Sequence, residues 1–317
     1  MIDKIQIGIS ACLMGENVRY NGGNKSFGFA LDELSAYANF QLVCPEMAIG
    51  LGTPRPTLRL IKSNNDVVMQ FTDDSNVDLT EKMRTFSKRH VASLSHLSGY
   101  IVCAKSPSCG MERVKVYDEN SNRCRKEGVG LYTAELMKQI PWLPVEEDGR
   151  LNDNAIRENF IERVFALNEL NKLQESGLTR AKLIDFHSRY KYTLLAHSQS
   201  QYREIGRFVA RIAEWDSLQA YFVEYRNQFM TLLSCKATRA NHTNVLMHIQ
   251  GYFKKQLTAK QRQELTQLID LYRQGIQPLL APITLLKHYL AEHPDQYLLQ
   301  QRYFNPYPEA LRLRYGF

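Results

Sequence analysis

Hydrophobic and polar positions follow different periods in the two halves of the chain. Up to about residue 150, short apolar runs alternate with segments of helical period, which is typical of βαβ units around a mainly parallel sheet. From about residue 152 onward, apolar residues recur every three to four positions and strand signals stop. We therefore predict a Rossmann-like α/β domain followed by an all-α domain. The predicted strands are residues 5–11, 40–44, 58–69, 100–105 and 114–118.

Helical segments complete this outline of the fold. In the first half, the pattern predicts helices over residues 29–38 and 78–97, the second of them capped by Asp78. The helices predicted in the second half are residues 155–173, 179–197, 202–213, 217–233, 241–256, 259–274 and 283–293. We expect the α/β domain to cover residues 1–150, a linker helix to start within 151–165, and the helical domain to cover 166–317.

Length and composition narrow the class of protein. A chain of 317 residues is long enough for two domains with separate cores. No apolar stretch approaches the roughly 18 residues that cross a bilayer, and the N-terminus lacks the pattern of a secretory signal. We expect a cytoplasmic protein with no membrane partner. Its six cysteines are therefore expected in metal-binding, catalytic or buried positions rather than in a disulfide framework.

The excess positive charge lies in the helical half. The net charge is +7, and residues 1–150 contain 18 basic and 18 acidic side chains, against 22 and 15 in residues 151–317. A basic helical domain is compatible with nucleic-acid binding but does not require it. Aromatic residues at helical spacing more often belong to a core. The histidines of this half lack the spacing of a metal site, and we expect structural or surface roles for His187, His197, His242 and His248.

Three cysteines follow three of the predicted strands. Strand 5–11 leads into Cys12, strand 40–44 ends at Cys44, and Cys109 lies in the loop after strand 100–105. Ligand sites of open α/β sheets form at the carboxyl ends of parallel strands, so we expect the three thiols to share one site. Thiolates favour soft transition metals or iron–sulfur clusters, and three protein ligands leave a position open for substrate. The alternative is three ordinary buried cysteines.

The sequence gives weaker evidence of a functional role for the other three cysteines. We expect Cys103 to be a core residue of its strand, facing inward by alternation, rather than a fourth ligand. Cys124 has basic neighbours, yet an exposed loop thiol without function is the simpler interpretation. Cys235 is expected in the core of the helical domain.

Five motifs stand in order in residues 5 to about 145. They are Ser10-Ala11-Cys12-Leu13-Met14-Gly15, Val18-Arg19-Tyr20-Asn21-Gly22, Val43-Cys44-Pro45-Glu46, Thr53-Pro54-Arg55-Pro56 and Ser106-Pro107-Ser108-Cys109-Gly110. They resemble, in the same order, the motifs of the thiouracil desulfurase family. On the basis of residues 191–198 and 241–253, the helical half is similar to a domain of uncharacterised role that is often fused to this family.

This resemblance implies a cofactor and a reaction. The cofactor is a 4Fe–4S cluster held by Cys12, Cys44 and Cys109, whose fourth iron is free to bind the sulfur of a thiolated pyrimidine. The reaction replaces that sulfur by water, giving uracil and sulfide from thiouracil. Most iron–sulfur clusters have four cysteine ligands, so three are the departure expected of a catalytic cluster.

The resemblance also implies roles for five further residues. Glu46 and Ser106 are the candidate catalytic residues, Glu46 to activate water or move its proton and Ser106 to donate a hydrogen bond to the pyrimidine or the water. Arg19, Arg55 and Ser108 are candidates for substrate binding, the two arginines because a guanidinium fork can hold a substrate carbonyl or a phosphate. The alternative for each arginine is a surface side chain bonded to a turn carbonyl. Without the resemblance, a solvent-exposed carboxylate and a turn hydroxyl are the simpler interpretations of Glu46 and Ser106.

Three alternatives remain open at this point. The same three thiolates are compatible with a zinc hydrolase. The whole chain is also compatible with an RNA-binding or redox-sensing protein whose cluster is regulatory. Within the desulfurase interpretation, the substrate is a small thiolated base, a thiolated nucleoside, or a thiolated tRNA held by the basic helical half.

Overall fold

The protein is described by a computed structural model over residues 4–63, 66–119, 121 and 123–315. The chain divides into two compact units, Met1–Ile156 and Arg157–Phe317. The first is an α/β unit and the second is all helical, so the predicted fold class is confirmed. No helix in the described part of the chain is long and apolar enough to cross a membrane.

The described residues of the α/β unit form two four-stranded sheets. Their strands are β1 Ile5–Ser10, β2 Ala38–Val43, β3 Leu58–Ser63, β4 Asp66–Phe71, β5 Gly99–Val102, β6 Val114–Asp118, β7 Cys124–Gly128 and β8 Val145–Glu147. The first sheet has the order β2-β1-β5-β8, and all its strands are parallel. The second has the order β4-β3-β6-β7, in which β3 and β6 are parallel and the other pairs are antiparallel.

The core of the parallel sheet lies along its two central strands. All residues of β5 are buried, and Gln6 is the one residue of β1 that is not. Such continuous apolar runs are typical of parallel strands covered on both faces. The Tyr100 ring of β5 packs over Gly8 of β1, where a Cβ atom would lie 2.3 Å from the ring. Only glycine therefore permits this close packing of β1 and β5.

Three helices accompany these strands, namely α1 Pro45–Ala48, α2 Thr80–Val91 and α3 Leu131–Gln139. The segment 29–38, predicted as one helix, instead forms a π-helical turn over Phe29–Glu33 and a 3₁₀ turn over Leu34–Ala36. Helix α2 ends six residues earlier than predicted. Beyond Val91 the chain makes tight turns and then pairs with β1, the Ser98 N–H donating to the Gln6 carbonyl.

The strand prediction differs from the structure in two ways. Segment 58–69 was predicted as one strand but contains β3 and β4, which pair as a hairpin; residues 64 and 65 of that segment lie outside the described residues. The short strands β7 and β8 were not predicted. β7 is an exposed edge strand of charged residues, and β8 has only three residues, so neither shows a clear alternation.

The helical unit contains nine described helices around an apolar core. Segment 179–197, predicted as one helix, is divided at Tyr190 into two. Five of the helices begin after a Ser or Thr whose hydroxyl accepts a backbone N–H three residues later, as at Thr179 and Ser217. The helices are α4 Asn154–Glu175, α5 Arg180–Arg189, α6 Lys191–His197, α7 Gln199–Ala210, α8 Leu218–Ser234, α9 Arg239–Tyr252, α10 Ala259–Gln274, α11 Leu280–Glu292 and α12 Gln296–Leu299.

Candidate functional site

A cavity of about 430 Å³ lies at the carboxyl ends of β1, β2 and β5. Cys12 lines it from the 3₁₀ turn after β1, Cys44 from the residue after β2, and Cys109 from the loop after β5. The structure thus brings the three predicted ligands together. It also adds Cys103, the residue after β5, as a fourth thiol on the cavity wall.

The loop that presents Cys109 is anchored on the N-terminus of α3. The N–H groups of Gly130, Leu131 and Tyr132 donate to the carbonyls of Gly110, Pro107 and Ser108, at 2.7, 3.1 and 3.1 Å. These are the donors that a helix N-terminus leaves without partners of its own. A Cβ atom on Gly130 would lie 2.5 Å from the Ser108 carbonyl group, so glycine is required there. The loop that ends at Gly130 therefore supports the site.

Burial keeps most of the cavity thiols protonated when no cation is present. Burial raises the pKa of Cys109 to about 12, and burial also raises the pKa of Cys44. A hydrogen bond to Cys103, together with burial, raises the pKa of Cys12; the same hydrogen bond lowers the pKa of Cys103. Metal ligation deprotonates such thiols, because a bound cation stabilises the thiolate.

The cysteines fit the expected iron–sulfur group in donor chemistry. All the thiols are free, and sulfur is the donor that such clusters use. Over the described residues, no three His, Cys, Asp or Glu side chains are grouped closely enough to hold one metal ion. The thiols border a cavity rather than converge on a point.

Beside the thiols, hydrogen bonds link Ser106, Ser108, Glu46 and Arg55 into a chain. Ser108 Oγ donates to Glu46 Oε1 at 2.7 Å, and Ser106 Oγ lies 2.9 Å from Ser108 Oγ. Since each hydroxyl has one proton, Ser106 is then the donor to Ser108. Ser106 Oγ in turn accepts the N–H groups of Ser108 and Cys109, at 3.3 and 3.1 Å. The chain leads from the Cys109 loop to a carboxylate on α1.

Arg55 is occupied by contacts within the protein. Its Nε donates to Glu46 Oε2 at 3.0 Å, its Nη2 donates to the same oxygen, and further bonds reach the carbonyls of Val18 and Gly52. The side chains of Arg55 and Glu46 are only 6% and 12% exposed. This arrangement suits a residue that orients Glu46 better than one that binds substrate, which was the role expected of Arg55.

Arg19 and Lys25 contribute positive charge to the same cavity. Arg19 lies on the cavity wall, and within the described part of the chain no hydrogen bond holds its guanidinium. Lys25, which sequence reasoning missed, forms an ion pair with Asp148 at 2.7 Å. No pattern in the sequence marks Lys25. Cys103, by contrast, carried the same signal as Cys44, since both directly follow a strand.

A larger groove of about 1290 Å³ continues from the cavity across the α/β unit. The cavity and the groove share Tyr20, Lys25 and Lys105, among other residues. Glu147 is the one acidic residue of its described lining. The basic residues that line it are Lys25, Arg59, Lys105, Arg113, Lys115, Lys126 and Arg150.

Cys124, Cys235 and the histidines do not line the cavity. Cys124 is exposed as expected, but it belongs to β7 rather than to a loop, and Cys235 is half-buried at the end of α8 rather than in the core. In the helical unit, His197 Nε2 lies 2.9 Å from Glu162 Oε2 with both side chains buried. Burial lowers the pKa of His187 to about 4 and that of His242 to about 3.

These features define a two-domain protein whose α/β unit carries a cysteine-lined cavity at its strand ends. Residues 7–148 match the family model described as 2-thiouracil desulfurase, and residues 191–308 match the model described as Protein of unknown function (DUF1722). The α/β unit thus carries a match to the 2-thiouracil desulfurase family and the helical unit a match to DUF1722, which confirms the resemblance of each half.

Two individual proteins are similar to parts of the chain. "Uncharacterized protein YbgA" of Escherichia coli (strain K12) is 52% identical over 154 residues, which is 49% of this chain and 91% of YbgA. The solved structure of the 4Fe-4S-dependent thiouracil desulfidase TudS is 27% identical, covers 47% of this chain and 94% of TudS, and superimposes with a TM-score of 0.39.

Proposed function

We propose that the α/β domain removes sulfur from thiolated pyrimidines at a 4Fe–4S cluster held by Cys12, Cys44 and Cys109. The observation that carries this proposal is the meeting of these three thiols with the Glu46 hydrogen-bond chain in one cavity of a 2-thiouracil desulfurase domain. A cavity of about 430 Å³ has the size of a small-molecule site. When bound, the cluster supplies an open iron that accepts the thiocarbonyl sulfur and makes the ring carbon more electrophilic.

The protein's own residues manage the proton of the attacking water. The overall reaction replaces C=S by C=O, consumes one water and releases hydrogen sulfide, so no electron donor is needed. Glu46 Oε1 already accepts the Ser108 hydroxyl. Ser106 Oγ accepts two backbone N–H groups and gives its proton to Ser108, so it holds Ser108 in place rather than donating to the pyrimidine or the water, which was its expected role. A proton that leaves the water passes through the Ser108 hydroxyl to Glu46, while Arg55 holds the carboxylate in place.

Arg19 is the cationic residue of the cavity wall that we assign to the substrate. Its guanidinium lies 5.8 Å from the Tyr20 ring, and within the described residues no protein acceptor takes its N–H groups, so they are available to a pyrimidine carbonyl. Arg19 thereby orients the ring while Ser108 and Glu46 act on the water and Ser106 holds Ser108.

The first prediction concerns the cluster. Protein reconstituted without oxygen should contain about four irons and equimolar acid-labile sulfide per chain, and should release sulfide from 2-thiouracil or 4-thiouracil. The Cys109→Ala variant should lose most of the iron, whereas Cys124→Ala, which removes an exposed thiol of β7, should keep it. Bound zinc without iron would support the hydrolase alternative, and a full cluster without sulfide release would support a sensor.

We further propose that the substrate base can be part of a thiolated tRNA. The groove that continues from the cavity is lined by seven basic side chains and one acidic one. Three of the basic side chains, Lys25, Arg113 and Arg150, form ion pairs with acidic groups. The match to a phosphate backbone therefore rests on the others, among them Lys105, Lys115 and Lys126. Lys105 lines both the cavity and the groove. A base bound in the cavity would therefore have its neighbouring phosphates in the groove. This observation favours the α/β unit as the site of phosphate contact.

The second prediction tests this phosphate contact. Lys115→Glu and Lys126→Glu should each weaken binding of a thiolated tRNA and reduce the slope of log affinity against log salt by about 1. The ratio of turnover on thiolated tRNA to turnover on free thiouracil should fall as well, since the free base has no phosphate. Lys88→Glu on α2, outside the groove, is the matched control. Equal salt slopes in all three variants would place tRNA elsewhere or exclude it.

A further inference from the structure

The outer edge of β2 is a strand edge without a hydrogen-bonded neighbour in the described part of the chain. β2 is the first strand of the parallel sheet and pairs with β1 alone. Its six residues, Ala38–Val43, contain no charged side chain. Leu42 is 41% exposed and Phe40 is half-buried. Exposed strand edges usually carry charges, prolines or bulges that block further pairing, and β2 has none of these.

The other edges of the two sheets are protected. All three residues of β8 are buried, and β7 exposes the charged run 125–127. The edge of β4 is covered by the segment that leads into α2. There the Met69 N–H donates to Thr80 Oγ1 and the Met69 carbonyl accepts the Leu79 N–H, both at 2.8 Å. This contrast distinguishes β2 as the edge that is open to a further strand.

The backbone of β2 determines which of its groups face away from the sheet. The Tyr37 carbonyl, just before the strand, accepts the Ile5 N–H of β1 at 2.9 Å. Because backbone groups point to alternate sides along a strand, the odd-numbered residues of β2 also face β1. The N–H and C=O groups of Ala38, Phe40 and Leu42 therefore face outward. Over the described residues, no hydrogen bond within the protein reaches them.

We propose that two copies of the chain pair through β2, antiparallel and around a two-fold axis at Gln41. In this register, Phe40 of one copy lies opposite Leu42 of the other, and the same pair recurs on the other side of the axis. Each of these pairs exchanges two backbone hydrogen bonds between outward-facing groups. The Phe40 and Leu42 side chains lie on one face of the strand, so four apolar side chains meet across the axis. The two parallel sheets then continue as one sheet of eight strands.

A second copy suits this edge better than an unrelated segment. The register that pairs Phe40 with Leu42 is self-complementary, as a two-fold interface requires. The chain has a net charge of +7, so two copies repel each other least where they meet at an uncharged strand such as β2. A strand of six residues is much shorter than the roughly 20–30 residues that each side of a stable complex contributes. We therefore expect a dimer that dissociates on dilution.

Sedimentation of the full chain over a concentration series, with a reductant present, tests the pairing. The average mass should rise from that of one chain toward that of two. Leu42→Lys places a charge on each copy at the pairing edge and should hold the mass at one chain throughout. Val77→Lys, which changes another exposed apolar residue of the α/β unit, should dimerise like the unmodified chain. The mass of one chain at every concentration, or a dimer that Leu42→Lys does not weaken, would overturn the proposal.

A cross-link tests the register in a Cys124→Ser background, which lacks the exposed thiol of β7. Gln41→Cys places the two new thiols at the axis, in a pair with Cα atoms about 4.5 Å apart, within the range of a disulfide. In Asn39→Cys the new thiols lie four residues apart along the strands, roughly 13 Å. Mild oxidation should therefore link Gln41→Cys into dimers and leave Asn39→Cys unlinked.

Equal linking of the two cysteine variants, or linking of neither, would contradict the register. A chain that stays monomeric but pairs with an added extended peptide would show that the edge serves another protein and not a second copy. Neither sedimentation nor cross-linking needs iron or thiouracil, so both results are independent of whether the chain proves to be a desulfurase.

Discussion

Glu46→Gln should lower the rate of sulfide release by a factor of about 10² to 10⁴, the usual effect of removing a general acid–base group. Glutamine has nearly the same shape, so Arg55 and Ser108 lose little packing around it. The amide, however, does not take up the proton that the hydroxyl chain delivers. The iron content should stay that of the unmodified protein, because Glu46 is not among the proposed ligands. The measurement is sulfide release from thiouracil, normalised to iron.

A control variant and a positioning variant test this prediction further. Glu33→Gln removes an exposed carboxylate on the turn before β2 and should leave the rate unchanged. Arg55→Lys removes the fork that holds Glu46, and should lower kcat with little change in KM if Arg55 orients the carboxylate. A rise in KM alone would instead assign Arg55 to substrate binding. If Glu46→Gln keeps its cluster and full activity, Glu46 has no part in proton transfer.

His197→Leu should destabilise the helical unit by about 3–5 kcal/mol, the cost of removing one partner of a buried ion pair. His197 Nδ1 faces the Cys235 carbonyl and Nε2 faces Glu162 Oε2, and both oxygens are acceptors. Both ring nitrogens therefore carry protons and the ring is an imidazolium. Its removal leaves Glu162 as a buried carboxylate whose side chain is only 9% exposed.

The destabilisation caused by His197→Leu should depend on pH. Burial lowers the pKa of His197, but the Glu162 carboxylate outweighs it and raises that pKa above its ordinary 6.5. Burial raises the pKa of Glu162, but His197 outweighs it and lowers that pKa below 4.5. The histidine's contribution is lost as pH rises through its folded-state pKa, and the carboxylate's is lost as pH falls through its own. The difference in free energy of unfolding between His197→Leu and the unmodified protein should therefore be largest between pH 4.5 and 6.5.

Denaturant unfolding of the full chain can report on the helical unit alone. The chain has two tryptophans, Trp142 in the α/β unit and Trp215 in the helical unit, so a Trp142→Phe background leaves one reporter. His288 and Glu292 form a similar pair, but their side chains are 60% and 46% exposed, and His288→Leu should cost less than about 0.5 kcal/mol. The double variant His197→Leu with Glu162→Leu should be less destabilised than His197→Leu. A double variant that is more destabilised than His197→Leu would show that no uncompensated charge on Glu162 is involved.

Sequence pattern alone predicted the class of each domain. The apolar runs of β1 and β5 are clear because parallel strands are buried on both faces, and the helical period of residues 259–274 agrees with the full length of α10. Where burial is one-sided or the element is short, the pattern carries less information. The exposed strand β7 and the three-residue strand β8 were missed for this reason, and the β3–β4 hairpin was predicted as one strand.

The sequence pattern was enough to predict that Cys12, Cys44 and Cys109 share one site, since they follow strands whose carboxyl ends meet at one sheet edge, and all three line one cavity in the structure. What each polar group contacts depends on the tertiary structure. It tied Arg55 to Glu46 rather than leaving it free for a substrate, and it placed Cys103 on the wall of the cavity that the other three thiols line. Side-chain partners far apart in the chain depend on the packing of strands and loops, which periodicity does not encode.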